Sequence, residues 1–338
     1  MVLKVLTIYD KSGPKYHRCL LPCFLMDDVE LTVNHSLDES QLEGVDIVFI
    51  NRIIGNQSLD NITKLRDKYG FKLVVDFDDH WRLDPDHYLY ETYKVFNASL
   101  LMEYYIQEAD HVTCTHERLA DEISPLNPNV TVLPNAIPSF GQFLSPKTKA
   151  SFTRLFWAGG VTHKKDIELV RNPVKRFSFL NIQMVMGGFV EGNPEYQVMA
   201  SAFTNGARIK HRLLKSLPVE DYYYMYSECD IALIPLRATP FNSYKSNLKI
   251  LEAANIAAPV IVSRVHPYLD FPEDLVNYVD KQGDWFDHVK MLLNNPDYAT
   301  EQGSRLQKYC REVYNFDAIN KKRKELFYAI AGKQREAA

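Results

Sequence analysis

The sequence predicts an α/β protein with two parallel sheets, and three observations lead there. Short apolar runs alternate with helical patterns through the first half, a polar aperiodic stretch follows, and the alternation then begins again. Parallel strands joined by right-handed crossovers satisfy that order, so each half reads as a Rossmann-like domain. At 338 residues the chain can bury two such cores.

In the first half the apolar runs place strands at 3–9, 29–33, 46–50, 72–77, 111–115 and 130–133, with helices at 16–26, 59–69, 93–108 and 117–123. Beyond Pro134-Asn135-Ala136-Ile137-Pro138, a stretch rich in Ser, Pro and Lys runs to about Ser151 without periodicity. The linker belongs there, giving an N-terminal domain of 1–140 and a C-terminal domain of 150–314. The second half places strands at 154–157, 182–186, 231–235, 259–262 and 276–279, and helices at 164–176, 219–227, 246–255 and 285–293. From Thr300 the pattern is helical, and its apolar residues, Leu306, Phe316 and Phe327 among them, need a partner surface. A last helix of about 315–338 is expected to pack back on the first domain. Two halves of this kind set an interdomain cleft at their C-terminal strand edges, where open α/β sheets bind ligands.

Composition is that of an ordinary globular enzyme, 46% hydrophobic and 24% charged, and no apolar run is long enough to span a bilayer. The opening Met1-Val2-Leu3-Lys4 reads as a first strand rather than a leader. Cys19, Cys23, Cys114, Cys229 and Cys310 are scattered without a CxxC pair, which predicts reduced thiols and a cytoplasmic protein. Net charge is -4, against a protein that coats nucleic acid, yet residues 147–215 carry twelve Lys and Arg against four acids. That basic stretch has two readings: an anionic ligand, whether a diphosphate or a nucleic-acid backbone, or a solvated helix face.

The most informative stretch is Tyr244-Lys245-Ser246-Asn247-Leu248-Lys249-Ile250-Leu251-Glu252, which leads through Pro259 into the apolar run Val260-Ile261-Val262. A polar turn enters a short helix at the mouth of a parallel sheet, and the free N–H groups and positive dipole end of such a helix bind anions. Three further segments precede it in order: 109–137, with Ala109-Asp110 and Val132-Leu133-Pro134-Asn135-Ala136; Leu155-Phe156-Trp157-Ala158-Gly159-Gly160 leading to His163-Lys164-Lys165-Asp166; and Glu228-Cys229-Asp230-Ile231-Ala232-Leu233-Ile234-Pro235.

Together these four segments resemble GT-B glycosyltransferases, especially the large family with an E-x7-E element. Tyr244 stands where that family has its first glutamate, and Glu252 where it has the second. The resemblance implies metal-independent transfer of a sugar, with retention at the anomeric carbon, from a nucleotide-sugar cosubstrate. No other cofactor is implied. The acceptor is a glycan, a lipid-linked sugar or a modified DNA base. A sugar-nucleotide epimerase of the same fold and a non-catalytic sugar-nucleotide or nucleic-acid binding protein are the rival readings.

The resemblance and the residues together nominate a donor site. Gly159 and Gly160 allow close backbone approach to phosphate, and Lys164 and Lys165 fall in a first helical turn, where a cation is unfavourable unless it meets an anion. Lys245 and the amides of Ser246, Asn247 and Leu248 add donors, and Glu252 would take the ribose hydroxyls. In the first half Asp78, Asp79 and His80 end an apolar strand, with three readings: sugar contact or general base, a divalent metal site, or a cap. The metal-independent resemblance disfavours the metal. Lys11, His17 and Arg18, on and after the first loop, are acceptor-side candidates or an ordinary capped helix.

Overall fold

The computed structural model describes residues 2–54, 59–144, 147–206 and 208–334. Residues 335–338, the end of the expected last helix, lie outside the described residues. The chain forms two compact units. One comprises Met1–Pro85, Leu89–Asn135 and Phe316–Ala338; the other comprises Asp86–Tyr88 and Ala136–Asn315.

The first unit holds β1 (Leu3–Ile8), β2 (Val29–Asn34), β3 (Ile47–Asn51), β4 (Lys72–Phe77), β5 (His111–Cys114) and β6 (Val130–Val132), in the order β2-β1-β3-β4-β5-β6. Every pairing is parallel. All five residues of β3 are buried, as a strand covered on both faces requires. The helix Phe316–Ile330 completes this unit's core. Phe327 meets Phe49 edge-on with centroids 4.9 Å apart, Tyr328 donates to Asp28 O at 3.0 Å, and Asn320 donates to Pro22 O at 2.9 Å.

The second unit holds β7 (Thr153–Ala158), β8 (Ile182–Phe189), β9 (His211–Lys215), β10 (Ile231–Ile234), β11 (Val260–Ser263) and β12 (Asn277–Val279), in the order β12-β11-β10-β7-β8-β9 and again parallel throughout. Strand order reverses between β7 and β10 here and between β1 and β3 in the first unit. Such switch points open a crevice beyond the carboxyl ends of the strands.

Several elements differ from expectation for local reasons. The helix expected at 93–108 is two, Tyr90–Val95 and Ala98–Glu108, divided by Asn97 in the left-handed region at φ 49°. That expected at 164–176 is interrupted by a tighter 3₁₀ turn, Glu168–Val170, before Arg171–Phe177 resumes. Residues 16–26 fold as a five-residue π turn, Tyr16–Leu20, continued by Leu21–Phe24. Strand β9 was not expected: it is an edge strand with no fully buried residue, so its apolar signal is faint. The helix Pro194–Phe203 was also not expected, although Asn193 caps it by accepting the Glu195 N–H at 2.9 Å.

Candidate donor site

At the switch point of the second unit, β7 runs into Gly159-Gly160 and β10 into Pro235-Leu236-Arg237. Gly159 is required sterically. A Cβ there would lie 2.9 Å from Trp157 Cζ2 and 3.1 Å from Lys249 Nζ. Gly188, at φ 84°, brings its backbone so close that a Cβ would sit 3.1 Å from Gly159 O. Gly160 faces open space, its nearest neighbour at the Cβ position being Tyr196 Oη at 3.8 Å.

The helix Leu248–Asn255 approaches the same turn. Lys249 Nζ donates to Ala158 O at 2.5 Å and stands 5.6 Å from the Trp157 ring centroid. Sequence reasoning missed Lys249. The signal was present, because Lys249 and Glu252 are three apart and share a helix face. Lys245 precedes the helix, and the amides of Ser246, Asn247 and Leu248 stand at its start, where the N–H groups have no carbonyl a turn earlier.

Glu252 is buried, and its Oε2 accepts the Tyr226 hydroxyl at 2.5 Å. No other hydrogen bond to the carboxylate is made among the described residues, so its second oxygen keeps acceptor capacity for a hydroxyl. Burial raises the Glu252 pKa, opposed by the charge of Lys249 and the Tyr226 bond. Burial lowers that of Lys249, opposed by Glu252 and reinforced by Lys245.

Asp166 ties the two loops together. Its Oδ2 pairs with His163 Nδ1 at 2.8 Å, while its Oδ1 accepts the Arg237 N–H at 2.9 Å and Asn242 Nδ2 at 3.1 Å. Burial and then the Lys249 charge push His163 down to about 4, leaving it neutral. The lysines of the following turn meet carboxylates of their own unit: Lys164 pairs with Glu195 at 2.5 Å, and Lys165 with Asp86 at 2.9 Å. Lys164 thus has a carboxylate of its own, whereas Lys165 shares Asp86 with Arg237.

The nominated groups of the first unit have partners within that unit. Arg18 is buried rather than turned to an acceptor. Its Nη2 and Nε bind Asp76 at 2.8 and 3.0 Å, and its Nη1 donates to Leu133 O at 2.8 Å and Asn135 Oδ1 at 3.1 Å. His80 is also buried, stacked on Trp81 with centroids 4.5 Å apart. Its Nδ1 accepts the Arg82 N–H at 2.9 Å, so the neutral ring has spent its lone pair and carries its proton on Nε2, 3.8 Å from Glu122. Asp78 receives Asn51 Nδ2 at 3.0 Å and Arg52 Nε at 2.9 Å, and Asp79 receives Arg52 Nη2 at 3.1 Å.

Arg52, at φ 62°, thus pairs with both Asp78 and Asp79. Among the described residues no group of three His, Cys, Asp or Glu side chains could hold a metal ion. Lys11 is exposed, with φ 63°, and His17, partly buried and pushed down to about 4 by burial and then Arg18, is neutral.

No family model and no curated protein matches the sequence with significance. Solved structures do. Anabaena HepE in complex with UDP and glucose aligns over 97% of this chain and 100% of its own, at 13% identity and a TM-score of 0.68. An α-glucosyltransferase in complex with UDP and a 13-mer DNA containing a HMU base aligns over 97% and 100%, at 11% and 0.67. A Listeria monocytogenes protein provisionally assigned as a UDP-N-acetylglucosamine 2-epimerase aligns over 99% and 98%, at 13% and 0.58. At these identities the likeness is one of fold, and the two parallel six-stranded sheets with their helices make this chain a two-domain α/β protein of the GT-B fold.

Proposed function

We propose that the chain is a glycosyltransferase that moves a sugar from a nucleoside diphosphate sugar to a hydroxyl acceptor, and that its second unit binds the donor. The observation that carries this is the meeting, at one switch point, of the Gly159-Gly160 turn, the Lys249 ammonium and a helix N-terminus whose next turn carries Glu252. Negative charge builds on the departing diphosphate as the bond to the anomeric carbon breaks, and fixed cations and amides stabilise it without a metal. In this reading Lys245, Lys249 and the amides of Ser246, Asn247 and Leu248 hold the diphosphate, and Glu252 accepts from ribose hydroxyls. Membership in the E-x7-E group and retention of anomeric configuration are part of the proposal.

UDP-sugars are the first donors to try, since UDP is bound in the HepE and α-glucosyltransferase structures. For the acceptor, the DNA-bound α-glucosyltransferase supports a modified base, whereas the net charge of -4 supports a glycan or lipid-linked sugar. The five cysteines are all unpaired and buried, which fits a reducing compartment such as the cytoplasm. No helix among the described residues is long and apolar enough to cross a membrane.

The test is a panel of nucleotide sugars against the unfolding temperature. A donor at a hundred times its Kd stabilises the fold by about 2.7 kcal/mol. Radiolabelled donor is then offered to glycan, lipid-linked and hydroxymethylated DNA acceptors. If no nucleotide sugar shifts the transition, the proposal fails. An epimerised nucleotide sugar formed without any acceptor would favour the epimerase reading, which the Listeria neighbour supports at its lower TM-score of 0.58.

A further inference from the structure

We propose that Lys165 and Arg237 form a phosphate subsite of the second unit, and that Asp86 fills it as a carboxylate stand-in which an incoming donor displaces. The inference rests on the donor-binding reading above and adds Arg237 and Asp86 to it. Asp86 Oδ2 lies 2.9 Å from Lys165 Nζ, from Arg237 Nη1 and from Arg237 Nη2. One anionic oxygen thus takes three charged donors, the arrangement a terminal phosphate oxygen takes from a lysine and a guanidinium fork.

The frame around this oxygen does not depend on Asp86. Lys165 immediately precedes Asp166 in one helical turn, and Asp166 holds the Arg237 backbone N–H at 2.9 Å, with Asn242 Nδ2 bridging Asp166 Oδ1 and Arg237 O. Both cations are therefore placed by the network that joins the loops after β7 and β10. Asp86 is held differently. Among the described residues its carboxylate has no hydrogen bond except to these two side chains, while the adjacent His87 packs edge-on against Phe241 with centroids 4.8 Å apart.

Charge and exposure agree with an exchangeable occupant. Lys164 is matched by Glu195, whereas Lys165 and Arg237 share one carboxylate and leave a positive excess. The Asp86 side chain is 43% exposed, and ion pairs so open to water are weak. A diphosphate brings more charge than a carboxylate to the same donors, and so outcompetes it.

Calorimetric titration of the full chain with UDP tests this. Asp86→Ala is expected to tighten binding roughly three- to tenfold, because the ligand no longer competes with a tethered anion. Repeating the substitution in a Lys165→Ala, Arg237→Ala background should abolish the gain, since the carboxylate then guards nothing. A gain that persists in that background would show mere long-range repulsion and overturn the inference. Unchanged or weaker binding by Asp86→Ala would overturn it as well. If neither the unaltered chain nor Asp86→Ala binds UDP, GDP or ADP, the donor-site reading itself falls and carries this one with it. An unfolding temperature measured for each variant separates lost binding from lost structure.

Discussion

Replacing Lys249 by Met separates the binding role of this side chain from its packing role. Met keeps an unbranched stem against Trp157 but removes the ammonium and its 2.5 Å bond to Ala158 O. Losing that charge-assisted bond costs about 1–3 kcal/mol. An opposite term accompanies it. The fold lowers the Lys249 pKa, which means that at neutral pH the charged lysine is held at a cost that Met does not carry. Stability should therefore move by less than about 2 kcal/mol in either direction.

Donor affinity has no such compensation. A hydrogen bond to a charged group contributes about 1.5–3 kcal/mol, so the Kd for a nucleoside diphosphate should rise roughly ten- to a hundredfold. The pH profile supplies a second readout. Diphosphate binding needs charged Lys249, so affinity falls as pH climbs through the pKa of the unliganded site, which lies below the 10.5 of a free lysine. That alkaline limb should vanish in Lys249→Met. Calorimetric titration and urea unfolding measure the two quantities separately. An intact unfolding midpoint together with unchanged affinity and an unchanged alkaline limb would refute the assignment.

Arg18→Leu should destabilise the first unit by about 3–5 kcal/mol in denaturant unfolding, because Asp76 is left buried with its ionic partner gone; a loss under about 1 kcal/mol with a raised acceptor KM would return Arg18 to acceptor recognition. Gly159→Ala should cost about 1–3 kcal/mol and weaken donor binding, since its Cβ would meet Trp157 Cζ2 at 2.9 Å, and a neutral result in both assays would contradict the crowding argument. His163, held at about 4 against an ordinary 6.5, contributes stability that is full above pH 6.5 and lost as pH falls through 6.5 towards 4. That loss amounts to about 3 kcal/mol, so His163→Asn should flatten the acid limb of the second unit's unfolding, and an identical slope would count against a buried neutral imidazole.

What could be read from the sequence follows from where the information is stored. Central strands such as β3 and β8 are buried on both faces, so their apolar runs announce them without any knowledge of neighbours. Edge strand β9, His-Arg-Leu-Leu-Lys, carries no such run and was lost. The Gly159-Gly160 turn and the helix carrying Glu252 were legible because turn and helix start are local. Pairings were not. Arg18 and Asp76 are 58 residues apart, and helical periodicity does not tell which face of 16–26 turns inward to a carboxylate. Lys164 looked like an anion's partner and was one, but the anion is Glu195 in a helix that the pattern reading had passed over. Asp78 and Asp79 could be read as a strand-end pair, but not their partner Arg52, 26 and 27 residues away.

The helix Phe316–Ile330 lies on β3 although the entire second unit separates the two in the chain. During synthesis, then, the earlier sheet emerges from the ribosome lacking the ring that covers Phe49, and must wait through about 180 residues for it. The later-made unit, being continuous apart from Asp86–Tyr88, can mature first. Nascent chains halted before Phe316 should accordingly protect the second sheet from protease while leaving the first open to cleavage.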